Sequence, residues 1–240
     1  MNEREAKQGT QYPTGWMSWL RGLLRIFLIV GMMAGILFLA AGRLDWPAAW
    51  LLTILYIIFL LSVMIWGFRN SPDLLQERSQ LASNVKSWDR MINIFYTMLV
   101  VSLLVIAGLD TGRFRWSQMP AGFQAGGILG LVGTGWVIWW TIKENAFASR
   151  WARIQSDRGQ VVVSSGPYHY VRHPMYSALI FLFPCVSLEL GSWWGFLPAG
   201  LIVILFIGRT ALEDHMLQDE LPGYREYAAR VPYRLIPRIW

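Results

Sequence analysis

Cysteine is almost missing from this chain: one residue in 240, Cys185, and that one lies inside an apolar run. A lone cysteine excludes an intramolecular disulfide and any cysteine-ligated metal cluster, and it reads as a small packing residue. Charge is scarce as well, at 15% of residues against 55% hydrophobic. The basic excess of +6 sits beside the apolar runs and never forms a dense basic stretch interleaved with aromatics, which argues against a nucleic-acid partner. Near the N-terminus, Glu3, Arg4, Glu5 and Lys7 stand well before the first apolar run, and no small-residue cleavage site follows a short apolar core, so a removable signal peptide is not expected. Glycines recur from Gly126 to Gly135, but within an apolar stretch and with no strand before them, which removes a dinucleotide-binding loop.

What the chain has instead is apolar length. Six stretches approach the span of a bilayer: Leu23 to Ala41, Pro47 to Phe68, Met91 to Leu109, Ala121 to Ile142, Pro174 to Leu190 and Trp193 to Gly208. The last two are short and nearly contiguous, and read as a tight helical hairpin. Of the 21 lysines and arginines, only Arg43, Arg113 and Arg115 fall in the connections on one side; the others, from Arg4 and Lys7 to Arg238, fall on the opposite side. That bias is the positive-inside pattern of an even number of spans with both termini in the cytoplasm. The expectation is an all-α integral membrane protein, a multi-pass helical bundle of about six transmembrane helices. It divides into an N-terminal cytoplasmic segment (1–22), N-terminal transmembrane helices (23–142) and a C-terminal region with the last hairpin and a cytoplasmic tail (143–240).

Between the second and third stretches, Ser71-Pro72-Asp73 has the form of a helix start. Leu74, Leu81, Val85 and Trp88 fall near one face while Glu77, Arg78 and Lys86 are charged, so an interfacial helix is expected near 71–88. Gly31-x-x-x-Gly35 and Gly126-x-x-x-Gly130 are small-residue pairs of the kind that lets helices approach, but such pairs are common in membrane spans and ordinary packing is the favoured reading. Arg225, Arg230, Arg234, Arg238 and Trp240 read as interface anchors.

Chemistry concentrates in Gln160 to Tyr176, reading QVVVSSGPYHYVRHPMY. His169 and His173 have a spacing seen in helical metal sites, with His215 and Glu213 as further conceivable ligands, but Pro174 disfavours helix at His173 and no third ligand lies nearby; a metal is not expected. Topology is more informative. Arg172-His173-Pro174 stands just before the fifth stretch, and Arg209, Glu213 and Asp214 stand just after the sixth. A hairpin would bring both clusters together at the cytoplasmic membrane surface, where converging polar groups mark a site.

These residues also carry a resemblance. The segment 160–176, followed by Arg209-x-x-x-Glu213-Asp214-x-x-Leu217 and Gly223-Tyr224-x-x-Tyr227, resembles the isoprenylcysteine carboxyl methyltransferase family and its phospholipid and thiol methyltransferase relatives. Asn70-Ser71-Pro72-Asp73-Leu74-Leu75-x-Glu77-Arg78 and Trp88-Asp89-Arg90 are similar to bacterial members, which implies a bacterial inner-membrane location. The resemblance implies S-adenosyl-L-methionine as cofactor, held by Gln160, Val161, Val162 and Val163 mostly through backbone, by Tyr168, by the run His173, Pro174, Met175 and Tyr176, and by Glu213 at its polar end. It implies Arg209 and Tyr176 as the catalytic pair, with Arg209 facing the methyl acceptor. Ala178 stands where the family commonly has glycine, and Asp214 completes what is usually a pair of glutamates.

The expected activity is S-adenosylmethionine-dependent methyl transfer to a lipidic or small apolar acceptor bearing a carboxylate, thiol or amine. The reaction needs alignment and exclusion of water more than a covalent nucleophile. Two other readings stay open: an NADPH-dependent membrane reductase of the sterol reductase type, and a non-catalytic membrane partner with a degraded site. Nothing in the sequence selects the acceptor or sets the oligomeric state.

Overall fold

The computed structural model describes residues 16–79 and 85–240; Arg4, Lys7 and Leu81, used above, lie outside them. The elements are helices α1 (Trp16–Ala41), α2 (Pro47–Asn70), α3 (Pro72–Ser79), α4 (Ser87–Ala107, continued by a π-helical turn over Gly108–Phe114), α5 (Ala121–Glu144), α6 (Pro174–Glu189), α7 (Phe196–Glu220) and α8 (Tyr224–Arg230), with no strand among the described residues. Prolines open several of them: Pro47 and Pro174 take the first helical position, where a missing N–H deprives the helix of nothing. Five helices, α1, α2, α4, α5 and α7, are long and apolar enough to cross a membrane.

Six helices run back and forth between two ends of one bundle. At one end, Arg113 at the close of α4 donates to Leu39 O of α1, Ser192 after α6 donates to Asp110, and Ser117 before α5 accepts from Trp193 N–H. At the other end, Trp19 of α1 packs on Phe68 of α2, Asp89 of α4 accepts from the backbone after α5, and the start of α6 meets α7 through Arg172 and Asp214. Arg43, Arg113 and Arg115 mark the first end, as the charge bias anticipates.

Asp110 organises that first end. It is fully buried and accepts from Ser117 N–H (2.8 Å), Ser117 Oγ (2.6 Å) and Ser192 Oγ (2.6 Å), fastening two turns that contain no regular structure. Between the ends, Leu37, Leu103, Leu190, Ile202 and Phe206 form the main core. Many large apolar residues on the outer faces stay exposed, among them Phe27, Leu39, Ile58 and Leu129, as a lipid-facing surface requires.

Two expectations need correction. The final pair of helices is unequal, not uniformly short. α6 has 16 residues, about 24 Å, below the roughly 30 Å hydrocarbon thickness, whereas α7 has 25. α7 therefore runs on well past Gly208, and Arg209, Glu213 and Asp214 lie inside it rather than in a following loop; the run of charges hid a helix that continues because these residues find buried partners. The helix expected near 71–88 is not one continuous element: among the described residues α3 spans Pro72–Ser79, Val85 and Lys86 lie outside any helix, and Trp88 belongs to α4. Leu74 of α3 is buried with Ile138, Ile142 and Ala178, and Glu77 is buried against Arg153 at 2.9 Å, so α3 is clamped to the bundle.

The glycine pairs divide. Gly31, Gly35 and Gly126 have open space where a Cβ would be, while Gly127 and Gly130 form the true contact between α5 and α6. A Cβ on Gly127 would stand 2.5 Å from the backbone nitrogen of Glu189, which cannot move aside. Gly127→Ala is therefore expected to lower stability by about 1–3 kcal/mol. Gly126→Ala is expected to be neutral or to stabilise by up to about 1 kcal/mol through helix propensity. Thermal unfolding of both variants in detergent checks this; equal losses would show that α5 and α6 do not pack through Gly127.

Candidate functional site

The segment 145–173 leaves α5, crosses the end of the bundle and enters α6, and its path is fixed by charge. Arg153 reaches back to Glu77 (2.9 Å) and to Asp157 (2.8 Å), and these hydrogen bonds, Asp157 first, hold its guanidinium charged far above the usual range. Ala152 N–H donates to Asp89 Oδ2 at 2.9 Å. The side chain of Gln160 is consumed in the same turn, accepting from Gln155 N–H at 2.7 Å. Gly166, at φ +57, bends the extended run 160–165 into the 3₁₀ turn Gly166–His169; a residue with Cβ would be strained there.

Asp214 ties this segment to the tail. It is fully buried and accepts from Arg172 Nε (2.8 Å), Arg234 Nε (2.9 Å), Gln218 Nε2 (2.7 Å) and Tyr224 Oη (3.1 Å), with His173 Nε2 at 3.3 Å. Arg172 also donates to Val231 O at 3.0 Å, and the backbone N–H groups of Arg172 and His173 donate to Tyr233 O and Arg234 O, both at 2.9 Å. Arg234, expected as an interface anchor, is thus part of a buried network, its guanidinium 5.0 Å from the Trp240 ring. Arg225 is an ordinary surface group on Asp219.

Between these walls lies a cleft that encloses about 800 Å³ with its open mouth counted. All ten residues expected to hold a cofactor, Gln160, Val161, Val162, Val163, Tyr168, His173, Pro174, Met175, Tyr176 and Glu213, line it. Val161 turns its side chain outward, 62% exposed. Among the described residues, the backbone N–H and C=O groups of Val161, Val162 and Val163 have no hydrogen-bond partner in the protein. The side wall is aromatic: Tyr227 donates to Tyr168 O at 2.7 Å, Asn145 donates to Tyr168 Oη at 2.9 Å, and Tyr224 packs on Tyr227. Burial raises the phenols of Tyr168, Tyr224 and Tyr227 well above their ordinary range, so all three stay neutral hydroxyls at physiological pH.

At the floor, Tyr176 donates to Glu213 Oε2 at 2.5 Å and stacks parallel to His173. Arg209 stands one layer behind: it does not line the cleft, its guanidinium lies 5.3 Å over the Tyr176 ring, and it donates to Arg150 O at 3.0 Å. Its terminal nitrogen is 2.8 Å from Asp89 Oδ1, a buried ion pair. The two histidines part company: His173 turns inward to Asp214, His169 lies exposed on Tyr170, and His215 pairs with Asp219. Among the described residues no three of His, Cys, Asp and Glu converge.

Asp89, Asn145 and Tyr227 were not among the expected site residues. For α7 a signal existed, because Arg209, Glu213, Met216 and Leu217 repeat at helical spacing on one face.

Breaking the Asp214 hub with Asn is expected to cost about 3–5 kcal/mol by stranding two buried arginines and to open Arg234 to trypsin. Asp219→Asn, on exposed pairs, is expected to change stability by no more than about 0.5 kcal/mol. Detergent melts with limited proteolysis distinguish the two, and a trypsin-resistant tail in Asp214→Asn would refute the clamp.

No curated protein matches the chain. Residues 122–221, from the second residue of α5 to just past the end of α7, match the phospholipid methyltransferase family, a stretch that contains most of the residues lining this cleft.

Proposed function

We propose that the cleft binds S-adenosyl-L-methionine and that the protein transfers its methyl group to a lipidic acceptor at the membrane surface, on what we read as the cytoplasmic side. The observation that carries this reading is the free backbone edge of Val161, Val162 and Val163 along a cleft with an aromatic wall and one carboxylate. Such an edge offers donors and acceptors in the plane that a nucleobase needs, while Tyr168 and Tyr176 offer ring faces to a cation. Glu213, oriented by the Tyr176 hydroxyl, is placed for an ammonium group.

When bound, the cofactor supplies an electrophilic methyl on a sulfonium. In the transfer an acceptor lone pair forms the new bond to carbon, and the electrons of the broken carbon–sulfur bond return to sulfur, so charge disperses and no covalent intermediate with the protein is needed. The protein's part is positioning and dryness. Tyr176 is the pivot of that positioning, fixed on one side by Glu213 and on the other by Arg209. Arg209, paired with Asp89, braces the Tyr176 ring from behind.

Calorimetry of the full-length protein in detergent is expected to show S-adenosylmethionine binding, with NADPH giving none. Tyr176→Phe removes one charge-assisted hydrogen bond and is expected to weaken binding about 10-fold or more, and Glu213→Gln by a similar factor. Labelled methyl from the cofactor should then appear in the lipid fraction of a membrane extract. Binding of NADPH in place of S-adenosylmethionine, or wild-type affinity in both variants, would sink the proposal.

A further inference from the structure

A second hollow runs down the outer side of α4, at the same end of the bundle as the cleft, and encloses about 1250 Å³ with its open side counted. Its wall is Ile94, Met98 and Val101, together with polar residues that have turned back on their own helix. Asn93 donates to Asp89 O, Thr97 to Asn93 O and Ser102 to Met98 O, each at 2.8 Å. The lining is therefore mainly carbon, and from position 90 to position 102 it is about 18 Å long, close to the depth of one bilayer leaflet.

The head of this groove has the opposite character. Arg90 and Arg150 both line it, both are exposed, and neither has an acidic partner among the described residues. Four other arginines at this end are neutralised: Arg153 by Glu77, Arg172 and Arg234 by Asp214, Arg209 by Asp89. Two uncompensated guanidinium forks above a carbon-lined trough one leaflet deep are complementary to one kind of molecule, a lipid with an anionic head.

The groove and the cleft also share a wall. Trp151 lines both, with the Arg150 guanidinium 5.4 Å from its ring. Its neighbours are pinned on either side, Arg150 O by Arg209 and Ala152 N–H by Asp89. A head group on Arg90 and Arg150 thus lies across one indole from the cleft, next to the backbone that Arg209 holds.

We infer that the α4 groove is the docking site of the methyl acceptor, and that it selects an anionic lipid, its carboxylate or phosphate on Arg90 and Arg150 and its chain along Ile94 to Val101. The inference rests on reading the cleft as the methyl-donor site. Arg90 and Arg150 act in recognition, and Trp151, which lines both hollows, is a positioning residue at their junction.

Native mass spectrometry of the full-length protein in detergent, titrated with phosphatidylglycerol, oleate or phosphatidylcholine, tests it. The wild type is expected to retain the two anionic lipids about tenfold more tightly than phosphatidylcholine. Oleate against phosphatidylglycerol separates carboxylate from phosphate as the preferred head. Arg90→Gln with Arg150→Gln should erase that preference, and Val101→Trp, filling the trough, should weaken every lipid. Neither change should alter S-adenosylmethionine affinity, and both should slow methyl transfer to extract lipids. A wild type without anionic preference, a double variant that keeps it, or a Val101→Trp protein that transfers methyl at the normal rate would each overturn the groove assignment. Cofactor binding with no lipid selectivity removes only this inference; lipid selectivity with no cofactor binding removes the methyl-donor reading and leaves the groove as a lipid site.

Discussion

One carboxylate holds the site end of this bundle together. Asp214 sits on α7 with no solvent contact and draws donors from Arg172 at the entry to α6, Gln218 on its own helix, Tyr224 on α8 and Arg234 in the tail. A buried anion is costly unless every lone pair is occupied by well-placed donors, so these segments are compatible with the folded state only together. Arg172 extends the demand by donating to Val231 O, and the tail backbone pairs with residues 172 and 173. The cleft is the space left when these parts close around Asp214. Its far wall, Val162 against Tyr224 and Tyr227, exists because the same anchor sets where α8 lies.

The two ends of the bundle solve the same problem for different purposes. Asp110 also buries a carboxylate, but its partners are two serine hydroxyls and backbone N–H groups of adjacent turns, and its bonds close the structure without leaving room. At the site end the carboxylates of Asp89, Glu77 and Asp214 pair with arginines drawn from distant segments, and long side chains bridging distant backbones keep a gap between them. Packing does the rest. α5 and α6 touch through Gly127 and Gly130, and this close approach carries the start of α6, with Pro174 to Tyr176, against the floor of the cleft.

Much of this was legible in the residues. Apolar length located all six helices that run between the ends, and charge bias separated the ends, because lipid imposes both conditions on any sequence that spans it. The ten expected cofactor residues do meet in one cleft, since nine of them lie on one continuous segment and α6 and α7 are neighbours joined by a short connection. What escaped is what depends on pairing. Hydropathy ended the last helix at Gly208 because Arg209, Glu213 and Asp214 look like surface residues until their partners Asp89, Tyr176 and Arg172 are known. Glu77 was assigned to a solvated face for the same reason, with Arg153 lying 76 positions away. A charge's partner at that separation leaves no local pattern.

The arrangement of Arg209 explains how a polar cleft and an apolar groove can serve one reaction in the proposed reading. A methyl donor of the S-adenosylmethionine kind is soluble and cationic at sulfur and a lipid acceptor is neither, so the two need entrances of different polarity that meet at one point. In this fold α7 places Glu213 on the cleft side and, one turn earlier, Arg209 behind Tyr176, where its guanidinium holds the carbonyl of Arg150 beside the groove. Trp151 lines both compartments, so they adjoin at its ring, and the buried Arg209 braces both sides of that junction. The Asp89–Arg209 pair that anchors residues 150–152 therefore sets both where Arg150 meets the groove and where Tyr176 meets the cleft.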